Sequence, residues 1–330
     1  MQKVFVVINE ASHNSWSEFL WSEIADKATI YLDNNDIKNR ILKKIKKLHF
    51  SNRANRSVWL PFKSIWDRHL VVKLKDLNPN DDNLIIFQSN VKFSPHFIEK
   101  LKRKFNCRIV LYLPDTVSKL GIGCDIKTTY RYICYYQIDR VYSFDMNDCS
   151  QYGFEYFDLY SKCDIEKTNQ VKECLGKSIF YVGNCRSLQR LQLLYSIYLL
   201  LHKNYRCLFY INGVENERIK KEYSIHYNEY LTYKEVIQQI NNSDYILELV
   251  DENQIGNTLR FKEAICYNKY LITNNTDYSN HSFDSTNGII TFTDACEIKE
   301  KINNLCTCID YKYSGEFSPL KLVESVFKDS

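Results

Sequence analysis

Short apolar runs of strand length alternate along the chain with longer stretches of helical spacing. In the first half, KVFVVI (3–8), NLIIFQ (83–88), CRIVLYL (107–113) and RVYSF (140–144) predict strands. Between them, Trp16, Phe19, Leu20, Glu23 and Ile24 recur at helical spacing over 16–25. Residues 36–49 predict a strongly basic helix with Ile37, Ile41, Leu42, Ile45 and Leu48 on one face. Ser94-Pro95 is a start signal for a helix over 97–105. Continuous apolar strands separated by helices fit a parallel sheet covered on both faces.

Residues 155–177 lose this periodicity and are polar, which predicts an interdomain linker. The rhythm then restarts. Strands are predicted at SIFYV (178–182), 206–211, YILELV (245–250), 270–273 and 288–292, with a helix over 188–201. Thr232-Tyr-Lys-Glu235 matches a capping box and opens another helix. One more starts near 257, and Ser318-Pro319 starts a last one ending about Lys328. The implied fold class is α/β, with two Rossmann-like domains whose parallel sheets face each other across a cleft. Residues 1–160 form the first domain and 175–312 the second; the helix in 313–330 packs back on the first. Ligands of such sheets bind past the carboxyl ends of the strands.

Composition narrows this further. A chain of 330 residues, 45% apolar, suits two globular domains of about 150 residues each. A net charge of +4 and a pI of 8.3 are mild, and no nucleic-acid-binding signature is present, so nucleic acid is not an expected partner. The 12 cysteines include no CxxC pair, and Cys306-Thr-Cys308 has no flanking histidines, which argues against structural zinc. The apolar run at 4–8 is too short for a secretory signal. A cytoplasmic protein with buried free thiols is therefore expected. The apolar stretch around 193–201 is far shorter than the ~20 residues of a membrane span.

Two strand-to-helix junctions carry candidate chemistry. In NQIGNTLRFKEA, Gly256-Asn257-Thr258 follows a buried strand and precedes a helix. A helix start offers unpaired N–H groups and partial positive charge, and glycine lets an anion come close. Arg260 in the first turn opposes the dipole and so calls for an anion. Glu263, three residues on, lies on nearly the same face, and a carboxylate is a natural acceptor for a vicinal diol. Phosphate at the helix tip with a sugar beyond it outlines a nucleotide. The alternative is a solvated Arg260–Glu263 pair beside a turn glycine. Gly183-Asn184-Cys185-Arg186 forms the second junction, with Arg190 one turn later; guanidinium groups suit diphosphate oxygens.

Over residues 181–275 this arrangement resembles the C-terminal donor domain of GT-B glycosyltransferases. It is similar to a bacterial group associated with lipopolysaccharide and capsular polysaccharide biosynthesis. The resemblance lies in FYVGNCR, LTYKEVIQQINNSDYILELV, the G-x-T-L-R-x-x-E-A core and KYLITNN, and extends to VYSFDMNDCSQYGFEYF in the first half. It implies that Glu263 holds the nucleotide ribose and that the glycine turns and basic residues hold the diphosphate. It also implies transfer of a sugar from a nucleotide-sugar donor to an envelope glycan, free or lipid-linked, with no metal and no other cofactor. The chain departs from the common E-x7-E pattern, because Ile255 stands where the first glutamate would contact the donor sugar. Without that acid the donor-sugar assignment fails and a retaining outcome loses its support.

An inverting transferase needs a base to deprotonate the acceptor hydroxyl. Asp115, in LPDTVS after the strand 107–113, is the first candidate; Glu10 and His13, in NEASHNS after the first strand, are the others. All three are also ordinary turn or cap residues. Asp33-Asn-Asn-Asp36 and Asp81-Asp82 lack the D-x-D spacing of a metal-dependent GT-A enzyme, and Gly121-Ile-Gly123 lacks the third glycine of a dinucleotide fingerprint. A basic region from Lys38 to Arg68, interleaved with Trp59, Phe62 and Trp66, suits an anionic membrane surface and a peripheral location on the inner face of the cytoplasmic membrane. Its bland counterpart is a solvated helix face with core aromatics. The competing class is a non-catalytic nucleotide or nucleotide-sugar binding protein of the same fold. A different α/β transferase with a single such domain is a third.

Overall fold

A computed structural model describes residues 2–8, 16–32, 37, 39–51, 60–67, 74, 77–163, 177–185, 187–250, 257–280, 283, 287–303, 305 and 309–328. They form two compact units: Met1–Ser161 with Phe317–Ser330, and Lys162–Glu316.

In the first unit the chain runs β1 (Gln2–Ile8), α1 (Trp16–Phe19), β2 (Ala28–Leu32), α2 (Arg40–His49), β3 (Asp82–Gln88), α3 (Pro95–Phe105), β4 (Cys107–Leu113), α4 (Val117–Leu120), α5 (Ile126–Tyr135), β5 (Arg140–Ser143), α6 (Met146–Tyr152) and β6 (Glu155–Tyr156). The sheet is parallel throughout, in the order β2-β1-β3-β4-β5-β6. Its central strands are buried on both faces, which is why they read as unbroken apolar runs. Phe5, Val7, Ile85, Phe87, Ile109 and Leu111 share one core with Phe97, Ile98 and Leu101 of α3 and Tyr132 of α5. Ser94 caps α3 by accepting from Phe97 N at 3.1 Å, with Pro95 at the first position. Asp67 fixes that cap from outside, accepting from Ser94 N at 2.8 Å and from its hydroxyl at 2.5 Å. The C-terminal helix Pro319–Lys328 belongs to this unit; Arg108 donates to Val326 O at 2.6 Å and holds Asp82 with its other nitrogen.

The second unit continues with β7 (Ser178–Asn184), α7 (Leu188–Leu201), β8 (Arg206–Asn212), β9 (His226–Tyr227), α8 (Tyr233–Asn242), β10 (Tyr245–Glu248), α9 (Leu259–Cys266), β11 (Tyr270–Thr273), β12 (Ile289–Thr291) and α10 (Ala295–Asn303). This sheet is also wholly parallel, in the order β12-β11-β10-β7-β8-β9. Ile179, Tyr181, Phe209 and Ile211 pack with Leu191, Leu194, Ile197 and Leu201 of α7 and Ile298 and Ile302 of α10. α8 packs on β7, and α9 on β10 and β11. The capping box at Thr232 is formed in both directions, with Glu235 accepting from Thr232 N at 2.7 Å.

Several expectations change. The helix read over 16–25 is one short turn followed by a 3-10 turn at Ser22–Ile24. The part of the supposed linker that is described is packed, with Leu159, Tyr160 and Cys163 buried; residues 164–176 lie outside the described ones. Cys107, Cys163 and Cys266 are buried free thiols, but Cys124, Cys134 and Cys296 are exposed. α2 starts four residues later than read, at Arg40. Ile41, Leu42, Ile45 and Leu48 are exposed, whereas its single buried side chain is Lys46. Among the described residues no helix is long and apolar enough to cross a membrane.

Candidate functional site

The strand order of the second sheet reverses between β7 and β10, which are parallel neighbours although the chain goes outward from the first to β8 and from the second to β11. Such a switch point leaves a crevice at the carboxyl ends of the strands. Both junctions singled out in the sequence leave from these two strands. β7 ends at Gly183-Asn184, and Ser187 caps α7 by accepting from Arg190 N at 3.2 Å. β10 ends at Glu248, and Thr258 caps α9 by accepting from Phe261 N at 3.3 Å. Asn257 is buried just before that cap. Arg186 and Gly256 lie outside the described residues.

The start of α7 is anchored on Tyr181 and on the residue after β10. Arg190 donates from Nη2 to Leu249 O at 2.6 Å and from Nε to the Tyr181 hydroxyl at 3.4 Å. Burial pushes the Tyr181 phenol up, and the charges of Arg190 and Arg260 both pull it back. Arg190 thus ties the Tyr181 hydroxyl to the chain just after β10. This explains the glycine at 183 in steric terms, since a Cβ there would sit 2.6 Å from the Tyr181 hydroxyl.

The anion that Arg260 calls for is Glu263. The two form an ion pair, and the Tyr233 hydroxyl, at the start of α8, donates to the other Glu263 oxygen at 2.8 Å. The pair is not solvated: Glu263 is 0% exposed and the Arg260 side chain 17%. Burial pushes the Glu263 carboxyl up to about 7, against the opposing pull of Arg260 and Tyr233. A ligand diol reaches this carboxylate only where Arg260 or Tyr233 yields its place.

A second buried carboxylate, Glu248, accepts from Thr273 Oγ1 at 2.5 Å and from the Thr258 hydroxyl. Burial raises its carboxyl pKa, while those two hydrogen bonds and the charge of Arg260 lower it. Arg260 thus stands in the field of two buried acids, Glu248 and Glu263. Sequence reading missed Glu248 because it lies inside the apolar run YILELV, where one acid among five apolar residues breaks no periodicity.

Sequence reading also missed Asn212, the last residue of β8 and the cross-strand neighbour of Asn184. It is 5% exposed, and among the described residues its side-chain oxygen accepts no hydrogen bond. The next residue, Gly213, has φ +74°, and a Cβ built there meets nothing within 4 Å. Beyond it, Asn228 holds Val214 by two reciprocal bonds of 3.0 and 2.9 Å. A buried acceptor left unmet costs roughly 1–3 kcal/mol. Asn212 is therefore a fixed acceptor beside open space, suited to an N–H or O–H group. The only sequence signal was Asn-Gly after a strand, which reads as a turn.

In the first unit, Asp115 follows β4 as expected. Its carboxylate accepts from Thr116 N at 2.9 Å and pairs with Lys119 at 3.2 Å. Asp148 lies within its field and accepts from Val117 N at 2.8 Å; Asp145 caps α6. Glu10 and His13 lie outside the described residues.

No protein-family model matches the chain, and no curated protein matches its sequence. Solved structures do match along nearly its whole length. One is the trehalose 6-phosphate synthase of Burkholderia multivorans, with 11% identity, 93% of this chain and 92% of that one covered, and a TM-score of 0.55. Another is HepE of Anabaena in complex with UDP and glucose, with 11% identity, 99% of both chains covered and a TM-score of 0.54. A third is an alpha-glucosyltransferase in complex with UDP-glucose and DNA, with 12% identity, 91% and 89% covered, and a TM-score of 0.51. At these identities the likeness is one of fold. The chain has the GT-B fold. Within that fold, the strand order of the second unit sets both candidate junctions beside the switch point of its sheet.

Proposed function

We propose that this chain is a glycosyltransferase that moves a sugar from a nucleotide-sugar donor to a bacterial envelope glycan of the lipopolysaccharide, capsule or O-antigen type, without a metal. The observation that carries the reading is that two arginine-bearing helices leave the adjacent strands β7 and β10 at the switch point of a GT-B sheet. Arg190 and Arg260, with Arg186 and Gly256, bind the diphosphate and stabilise it as it departs; fixed positive groups there replace the work of a cation. Glu263 receives the ribose diol once Tyr233 or Arg260 gives way. Asp115 takes the proton of the acceptor hydroxyl, with Glu10 and His13 as the other candidate bases. Fold neighbours bound to UDP and to UDP-sugars support a donor of this class. An acceptor carried on lipid brings the enzyme to the inner face of the cytoplasmic membrane as a peripheral protein.

Ile255, in place of the common donor-sugar acid, favours one second reading: a protein that binds the nucleotide sugar without turning it over. Nucleotide release from a panel of UDP-, GDP-, CMP- and dTDP-sugars, with a glycan acceptor extract, separates the two. Turnover that falls about 10²–10⁴-fold in Asp115→Asn supports the enzyme and its base. Tight donor binding without release supports the binding protein. Nucleotide affinity unchanged in Glu263→Ala removes the site assignment.

A further inference from the structure

α2 is amphipathic in the ordinary way but turned outward. Ile41, Leu42, Ile45 and Leu48 recur at helical spacing and would normally face a core. Here Ile41 is 67% exposed and Leu48 57%, and Leu42 and Ile45 are exposed as well. The opposite arc carries Arg40, Lys43, Lys44 and Lys47, all exposed, and the helix contains no acidic residue. The 3-10 turn Lys63–Trp66 is tied to the end of α2, with Trp66 Nε1 donating to His49 Nδ1 at 3.0 Å. That turn exposes Ile65, and Phe62 before it is 76% exposed. The apolar side chains of the helix and the turn therefore leave the first unit on its water side, beside an unbroken strip of positive charge.

We propose that this face is a membrane-docking surface: α2 lies in the plane of an anionic bilayer, with Ile41, Leu42, Ile45 and Leu48 among the acyl chains and Arg40, Lys43, Lys44 and Lys47 at the headgroups. Charge decides the occupant. A second copy of this helix brings only further positive charge and leaves both cationic arcs without counter-charge, whereas anionic headgroups neutralise the arc. The proposal gives the membrane location suggested above a physical anchor, but it stands on exposure and charge and needs no sugar transfer.

The test is flotation of the full chain with phosphatidylcholine vesicles, with and without about 30% phosphatidylglycerol, at low and high salt. The wild type should float only with the anionic vesicles and should be released by salt. Ile41→Ser with Leu48→Ser should abolish flotation while leaving the melting temperature in place, since both side chains are more than half exposed. Lys43→Ala and Lys47→Ala should each weaken partitioning about fivefold. The proposal is overturned if the wild type stays with neither vesicle at low salt, or if the serine double variant floats like the wild type. It is also overturned if sedimentation shows a dimer that Leu48→Ser dissociates, which would make a second copy the occupant. A chain that floats but releases no nucleotide keeps this proposal and loses the glycosyltransferase reading.

Discussion

Replacing Glu263 by glutamine probes the buried pair at the start of α9 without changing its shape. Burial lifts this carboxyl from its ordinary 4.5 to about 7. A carboxyl held up in the folded state contributes stability that is fully present below pH 4.5, where both states are protonated. The contribution is lost as pH rises through about 7, because the unfolded chain releases the proton first and the folded chain must then ionise a group with 0% exposure. The lift from 4.5 to about 7 corresponds to about 3 kcal/mol. Glutamine has no proton to lose. Urea unfolding of wild type and Glu263→Gln at pH 5 and pH 8, followed through the transition of the second unit, should show the wild type losing about 2–3 kcal/mol relative to the variant. All other groups cancel in that difference. Parallel stability profiles, within about 0.5 kcal/mol, would mean that Glu263 is ionised throughout as an ordinary partner of Arg260 and that its burial has been compensated. If the carboxylate is what receives a ribose diol, nucleotide affinity of the wild type should also rise as pH passes 7, and that of the glutamine variant should not.

Asn212→Leu removes a buried acceptor with no donor, so the free protein should gain about 1 kcal/mol of stability while nucleotide affinity falls about tenfold; thermal melts and isothermal titration read the two separately. A variant that is destabilised would show that Asn212 is already satisfied in the free chain. Gly183→Ala drives a methyl to 2.6 Å from the Tyr181 hydroxyl, an overpacking that should cost about 1–3 kcal/mol. Adding Tyr181→Phe should recover part of it, whereas simple additivity of the two losses would remove the steric account.

The fold was largely legible because its strands are buried on both faces. Residues 107–113 and 270–273 were read to the residue, as was the helix 188–201, and the Thr232 capping box formed as written. β2 escaped notice because an edge strand is only half-covered and its five residues carry no unbroken apolar run. α5 was missed because IKTTYRYICY is rich in β-branched and aromatic residues, and its capping box uses Asp125 with Thr128 where the usual signature has glutamate or glutamine. In the candidate site, spacing alone singles out Arg190, Arg260 and Glu263, since glycine and arginine beside a strand end are unusual for a plain helix. Spacing does not convey that Arg190 is tied to Tyr181, that Tyr233 of another helix occupies Glu263, or that Asn212 lacks a donor among the described residues. Those are facts of tertiary packing. Nor does periodicity alone say that the face of α2 points to water, because an amphipathic pattern identifies a stripe and not what covers it.

The thiols divide in the same way. Cys107 in the first unit and Cys266 in the second are shut away, and burial pushes the Cys107 thiol up to about 12 and that of Cys266 higher still. Neither can be alkylated until its own unit opens. Cys124 and Cys296 sit on the surface, one in each unit, and label from the start as internal references, the latter more slowly because Asp294 raises it. A brief pulse of iodoacetamide followed by peptide mass spectrometry therefore clocks the breathing of each half independently, in one tube and with no engineered probe.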